Sequence, residues 1–405
     1  MELFRHVLSE IKEYADKLVI LTGPRQCGKT HLCGLLGPDL AMNMDVGRDR
    51  ILFKRLDDTI KNVESAGKRK PLIFIDEIHR VRGWRNHLKG LFDKHKDKWF
   101  VASGSSAFDL LKGDKGDSLA GRAVWPRLHP VTFSEYLISS VAHGGKFDDN
   151  PFIKIRKTQD FKGYWKKYFE FGGFPEPLTK QSEKHSAIWM NDYLTAMLDR
   201  DVRALSETKD ADRVYQTYGF LLESTGTPYS AAAIAGNLDV SAATIIKDVL
   251  MLRRILWGFE LEPCYSSKAK RLRKAKKFYP VDHSMMNMDE KRHPGQVFEA
   301  AVAAMLHRHV SYSFFLRGKK IAMNYFQDYQ GHEIDFVLQG RESGTVFVEA
   351  KSSASKIGDA MKSFRYAEGV FKPSFKIIVV NEPGHYEHYK DILIVGPDNL
   401  AAALF

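Results

Sequence analysis

The sequence predicts an α/β chain in three parts: a parallel-sheet unit first, a run of short helices in the middle, and a second α/β unit at the end. Three observations predict it. Apolar runs of strand length stand at residues 18–21 and 71–75, the first followed by a glycine loop and then a helix start. Three helical patterns follow one another between residues 214 and 255 and run into a strand-like stretch. Two further strand-like runs, 334–339 and 345–351, flank a turn that begins and ends in glycine. A length of 405 residues agrees with two or three domains. A hydrophobic content of 44% against 27% charged residues is that of a globular chain and excludes a disordered one.

The most specific stretch is Gly23-Pro24-Arg25-Gln26-Cys27-Gly28-Lys29-Thr30, of the form G-x-x-x-x-G-K-T. Leu18-Val19-Ile20-Leu21 before it has the length of one buried strand, and His31 to Leu36 after it can open a helix. Strand, glycine loop and helix in that order make a phosphate-binding loop, whose eight residues are candidate ATP contacts. Gly23 and Gly28 let the backbone turn its N–H groups toward phosphate oxygens, and the helix start adds partial positive charge. Lys29 is expected at the β- and γ-phosphates, and the Thr30 hydroxyl on Mg2+.

The rest of the first part supplies the partners such a loop needs. Residues 2–15 read as an amphipathic helix, and Leu40 to Asp45 as a second strand. Pro71 to Ile75 is a buried strand ending in Asp76 and Glu77. Asp76 is expected in the Mg2+ shell, and Glu77 to orient or deprotonate the attacking water. Trp99 to Ser105 is a third strand. Ser103 or Ser105 at its end either reads the γ-phosphate or serves turn chemistry alone. Arg122, ahead of a strand over 123–128, either reaches a neighbouring subunit's γ-phosphate or pairs with a local acid.

These motifs, with Ile75-Asp76-Glu77-Ile78, Leu119-Ala120-Gly121-Arg122, Pro130-Val131-Thr132-Phe133-Ser134-Glu135-Tyr136, Gly172-Gly173-Phe174-Pro175-Glu176 and Arg200-Asp201, resemble the AAA-type ATPases of bacteria and archaea that carry a C-terminal domain of unknown function. The resemblance implies a P-loop ATPase core with a helical lid, a winged-helix middle and a nuclease-like C-terminus. It also implies a setting in genome defence or mobile-element handling. Cys27 stands where that family has a small aliphatic residue. The implied boundaries are 1–205, 206–288 and 289–405.

In the middle, residues 160–205 are helical and carry an aromatic stripe suited to packing. Helices over 214–224, 230–238 and 241–255, the last capped by Ser241, give the pattern of a helix-turn-helix. Leu256 to Leu261 reads as a wing strand, with Phe278 to Asp282 returning. Between them Lys268, Lys270, Arg271, Arg273, Lys274, Lys276 and Lys277 form a basic wing tip free of acids. With a net charge of +11, this stretch points to nucleic acid, DNA favoured.

In the last part, Gly295 to His309 reads as a helix holding Glu299, and Tyr312 to Leu316 as a strand. If Gly340 faces Gly344 across a three-residue loop, Asp335 faces Glu349 and Glu333 faces Lys351. Strand alternation then places Glu349 and Lys351 on one face. This Asp…Glu-x-Lys set resembles the PD-(D/E)xK nucleases, of restriction-endonuclease-like fold. The resemblance assigns Asp335 and Glu349 to Mg2+ or Mn2+, Lys351 to a water or the phosphate, and Glu299 as a helix carboxylate.

The reading is therefore a Mg2+-dependent ATPase coupled to DNA binding and DNA cleavage, working as a homo-oligomer. The alternative is a nucleotide-gated switch whose nuclease-like domain binds without cutting. Three cysteines, Cys27, Cys33 and Cys264, make neither a metal spacing nor a disulfide framework, which suits the cytoplasm. No apolar run approaches the ~18 residues of a membrane helix.

Overall fold

The computed structural model describes residues 3–65, 69–104, 119–141, 152, 155, 161–197, 202, 210–264, 275–288, 293–328 and 330–404. The chain divides into two compact units, Arg5–His129 and Pro130–Phe405 with Met1–Phe4.

The first unit is a five-stranded sheet in the order β2-β3-β4-β1-β5, from β1 (Leu18–Leu21), β2 (Leu40–Asn43), β3 (Leu72–Asp76), β4 (Trp99–Ser103) and β5 (Ala123–Val124). Every pairing is parallel. Parallel strands are covered on both faces, so β1, β3 and β4 are buried at every position and read as unbroken apolar runs rather than alternating ones. Ile20, Ile73, Ile75 and Phe100 pack with Leu88, Leu91 and Phe92 of the helix Trp84–Lys94. The order places β4 between the strand that feeds the phosphate loop and the strand that ends in Asp76. In an open parallel sheet, sites form beyond the carboxyl ends of the strands, where these loops lie.

The second unit opens on the helix Phe133–Val141. Its start explains the Thr132-Phe133-Ser134-Glu135 motif. Glu135 N donates to Thr132 Oγ1 at 3.1 Å, and Thr132 N donates to the Glu135 carboxylate at 2.9 Å, a reciprocal capping box that is fully buried. Helices Lys162–Phe171, Pro175–Lys180 and Glu183–Met197 follow. The stripe is packing, as expected: Trp165, Tyr168 and Phe171 are buried. Gly172 ends its helix at φ 73°, where a Cβ would run into Asp282 and Ser284. Asp282 is fully buried and paired with Arg308 at 2.5 Å, and it accepts from Gly173 N at 2.9 Å.

Helices Ala211–Glu223, Ala231–Asn237 and Ala242–Arg254 come next, capped by Asp210, Ser230 and Ser241. The antiparallel pair β6 (Gly258–Pro263) and β7 (Lys277–Pro280) follows. This pair joins the C-terminal sheet, because β6 runs parallel to β8. That sheet has eight strands, in the order β12-β13-β11-β10-β9-β8-β6-β7. The later ones are β8 (Ile321–Gln327), β9 (Glu333–Gly340), β10 (Gly344–Lys351), β11 (Phe375–Val380), β12 (Tyr386–Tyr389) and β13 (Ile392–Val395). Phe347 and Ile378 of this sheet pack on Ala360, Phe364 and Ala367 of the helix Ile357–Phe371.

Two expectations change here. Tyr312 to Leu316 is not a strand but the last turns of one helix, Pro294–Arg317. Its aromatic composition suggests a strand, yet burial of Met305, Arg308, His309, Tyr312 and Leu316 keeps the helical period until Gly318, left-handed at φ 66°, stops it. Glu333, placed opposite Lys351 by the expected register, forms its ion pair with Lys277. Lys277, expected on an exposed wing tip, is fully buried. Ser105, Arg200, Asp201 and the basic residues 268–274 lie outside the described residues.

Candidate functional site

The phosphate loop leaves β1 at Thr22 and is held against the strand end after β5. Thr22 N donates to Pro126 O at 2.9 Å and Leu128 N to Thr22 O at 2.7 Å. A Cβ on Gly23 would meet the Leu128 carbonyl, so only glycine fits there. Gly28 takes φ 94° and opens the helix Lys29–Gly34. Arg5 donates to Cys27 O at 2.9 Å, and the buried Cys27 thiol is pushed up by desolvation, which keeps it protonated. Cys27 therefore serves as loop filling rather than as a reactive thiolate.

Lys29 is buried, and Nζ donates to the carbonyls of Gly23 and Pro24 at 3.0 and 2.8 Å. The ammonium thus rests against its own loop. Thr30 Oγ1 donates to one oxygen of Asp76 at 2.8 Å. Ser103 Oγ donates to the other, which also accepts from Glu77 N at 3.1 Å. Loop, β3 and β4 therefore converge on one carboxylate, and Ser103 is brought into the site by the position of β4. A hydroxyl and a carboxylate side by side are the hard oxygen donors that suit Mg2+.

Glu77 takes the left-handed conformation at φ 51°, which turns its side chain out of the strand direction. Its Oε2 lies 3.2 Å from His79 Nδ1. Burial raises its carboxyl above the ordinary range, against the pull of Lys29 and Arg25. A carboxylate of raised basicity next to the loop suits a general base. Arg122 lies elsewhere: its carbonyl accepts from Leu18 N, at the start of β1, while the loop follows the end of that strand. Its guanidinium pairs with Asp93 at 2.9 Å. Four residues of strand, roughly 13 Å, separate it from its own phosphate loop.

The second site lies in the second unit. The β9–β10 register pairs Gly340 with Gly344 and continues to Phe336 opposite Val348, the register expected from the turn. Asp335 N donates to Glu349 Oε2 at 2.9 Å, and Ala350 N donates to Asp335 Oδ2 at 2.9 Å. Lys351 Nζ donates to Glu349 Oε1 at 2.5 Å. Glu299 approaches from the helix, its Oε1 accepting from Tyr279 OH at 2.6 Å. Burial, then repulsion from Asp335, raises both Glu299 and Glu349, to about 7 and about 8.

Sequence reasoning missed Lys277. Its Nζ pairs with Glu333 and stands 3.9 Å from Glu299 and 4.0 Å from Asp335. Burial pulls against the ammonium, but Asp335, Glu299 and Glu333 outweigh it and hold it charged. Its place in a basic run concealed this role; the signal was the apolar Phe278-Tyr279-Pro280-Val281 directly after it, which marks the start of a buried strand. The four expected residues come together, but their carboxylates are taken up by backbone amides and two lysines. Among the described residues, no group of three or more His, Cys, Asp or Glu is arranged to hold a metal ion. The residues present therefore do not fit a metal in this arrangement.

Residues 15–137 match the family model described as AAA domain. Residues 162–292 and 294–397 match two models, each described as Domain of unknown function (DUF8612 and DUF4143). An uncharacterized protein of Methanocaldococcus jannaschii is similar at 25% identity over 411 residues, covering 89% of this chain and 83% of that one. An uncharacterized protein of Mycobacterium tuberculosis is similar at 27% identity over 279 residues, 68% of this chain. The match spans only 57% of the mycobacterial relative's length. Among solved structures, a Signal Transduction ATPase with Numerous Domains protein with a tetratricopeptide repeat sensor from Pyrococcus horikoshii has 13% identity and a TM-score of 0.29, covering 78% of this chain and 48% of that chain. A matched AAA domain holding a phosphate loop that faces Asp76 and Glu77, together with a matched C-terminal domain of unknown function, supports an AAA-type ATPase that carries such a domain.

Proposed function

We propose that the first unit hydrolyses ATP with Mg2+ and that hydrolysis is coupled to nucleic-acid binding by the rest of the chain. The observation that carries this reading is the meeting of Thr30 and Ser103 on Asp76, with Glu77 next to it. Bound Mg2+ neutralises charge on the β- and γ-phosphates. Thr30 and Asp76 would hold it, and Lys29 would leave the Gly23 and Pro24 carbonyls for phosphate oxygens. Glu77 takes the proton of the attacking water. Arg122 belongs to a neighbouring copy's site in this reading, because it stands at the far end of its own β1. A homo-oligomer would then be needed for full turnover.

Three capped helices followed by the β6–β7 pair support a winged helix, with DNA contacted by the basic run 268–274. For the last domain two readings stand. Metal-dependent cleavage of DNA requires Asp335 and Glu349 to be free for an ion. The engagement of both carboxylates, and of Lys277 with the cluster, favours the second reading, a module that binds nucleic acid or protein without cutting. The deciding experiment measures ATP turnover by the purified chain with and without DNA, and cleavage of plasmid DNA with Mg2+ or Mn2+. Turnover that rises with DNA and no nicked product is expected. No turnover under any condition would overturn the ATPase reading, and nicking abolished by Asp335→Ala would restore the cleavage reading.

A further inference from the structure

Four carboxylates from three elements stand together in the second unit: Glu299 from the helix Pro294–Arg317, Glu333 and Asp335 from β9, and Glu349 from β10. Two ammonium groups face them. Lys351 serves Glu349, and Lys277 serves the other three. Lys277 is fully buried, and its Nζ is held by its ion pair with Glu333 and by the charges of Glu299 and Asp335. The Tyr325 ring closes one side, 5.1 Å from Nζ.

This placement is built. Tyr325 OH donates to Ala275 O at 2.7 Å, and Tyr229 N donates to Lys276 O at 3.0 Å, fixing the two residues before Lys277. Lys276 is itself tied to Glu260 and Glu262 at 3.4 and 3.3 Å. The chain thus spends three consecutive residues on delivering one ammonium to a group of acids. An ammonium about 4 Å from two carboxylates and paired with a third does what a small cation does among oxygen ligands: it cancels their mutual repulsion.

We infer that Lys277 is a tethered counter-cation that neutralises Glu299, Glu333 and Asp335 in place of a divalent ion, and that its presence is what keeps this cluster from taking a metal. The inference deepens the non-cleaving reading of the last domain and gives its physical cause. The cluster supplies hard oxygen donors alone, so Mn2+ or Mg2+ is the class of ion it would take.

The test is a Mn2+ titration of the nucleotide-free full chain followed by electron paramagnetic resonance. Wild type, Lys277→Met, Lys277→Gln and the double variant Lys277→Met with Asp335→Asn are compared, with circular dichroism to check folding. Wild type is expected to bind Mn2+ at this cluster no more tightly than about 1 mM. Lys277→Met and Lys277→Gln should each gain one ion per chain, at least about tenfold tighter, and the double variant should lose it. Folded Lys277 variants that gain no Mn2+ would overturn the inference. So would a tight Mn2+ ion in the wild-type chain that Asp335→Asn removes, a result that needs no Lys277 variant to fold. Mn2+ bound to Lys277→Met without cleavage of plasmid DNA would support the inference and remove the cleavage reading alone.

Discussion

At the scale of single residues, the proposed function gives separate roles to a few side chains of the nucleotide site. Lys29 is buried and parked on two carbonyls of its own loop, so its charge is available only to a ligand seated in that loop. Lys29→Ala is expected to weaken ATP binding by roughly a hundredfold or more, read by fluorescence of a labelled nucleotide. Glu77 is proposed to act on the attacking water and not on binding. Glu77→Gln should bind ATP as wild type does and hydrolyse it about 10² to 10⁴ times more slowly, read as phosphate release. Normal turnover in that variant would reassign the base. Gly23 is a different kind of residue, because its lack of a side chain is what counts. Gly23→Ala should cost both binding and stability, since the new methyl group runs into the Leu128 carbonyl, a backbone atom that no side-chain rotation can clear.

At the scale of elements, the helix Pro294–Arg317 organises the second unit, and two of its buried polar groups make its packing sensitive to pH. His309 Nδ1 donates to Leu404 O at 2.7 Å, and its Nε2 faces Ser313 Oγ at 3.3 Å, so the neutral ring satisfies both nitrogens. Burial lowers its pKa to about 4. The unfolded chain takes up this proton first as pH falls. The stabilisation is complete above about pH 6.5 and is lost between there and pH 4, by about 3 kcal/mol. Chemical denaturation of the second unit across that range should show the loss, and His309→Gln should flatten it. Arg308, one residue earlier, pairs with Asp282. Burial opposes the Asp282 carboxylate, but Arg308 and His283 outweigh it and hold it down at about 2. Its contribution is present above the unfolded value near pH 4 and is lost only as pH falls toward 2. Arg308→Met leaves a buried carboxylate without its partner and should cost about 3–5 kcal/mol at neutral pH.

At the scale of the whole molecule, the proposed function asks Arg122 and the basic run 268–274 to act on a second molecule. Arg122→Ala should bind ATP normally and turn it over slowly. Mixing it with Glu77→Gln should restore part of the rate, since each protein then supplies what the other lacks at a shared interface. A chain that sediments as a monomer with ATP yet hydrolyses at full rate would leave Arg122 only its local pairing with Asp93. Reversing Lys270, Arg271, Arg273 and Lys274 to Glu should weaken DNA binding and reduce its log–log salt slope by about 0.9 for each phosphate no longer neutralised. An unchanged slope would place the nucleic-acid surface elsewhere.

The sequence by itself determined the phosphate loop, the Asp76-Glu77 strand end, the Ser241 cap and the β9–β10 register. Each is set by neighbours a few residues apart: a glycine turn, an apolar run, a cap, an alternation of two. Tertiary structure alone decided where the charges ended. Lys277 sits in a basic run whose local pattern says solvent. It is buried because the chain returns β9 and the helix Pro294–Arg317 to it, bringing Glu333, Asp335 and Glu299 from 22 or more positions away. The residues 312–316 stayed helical for the same kind of reason, since burial along one face overrode an aromatic composition that favours strands. A side chain's charge is local, but the free energy of burying it depends on partners that only the completed fold brings within about 4 Å.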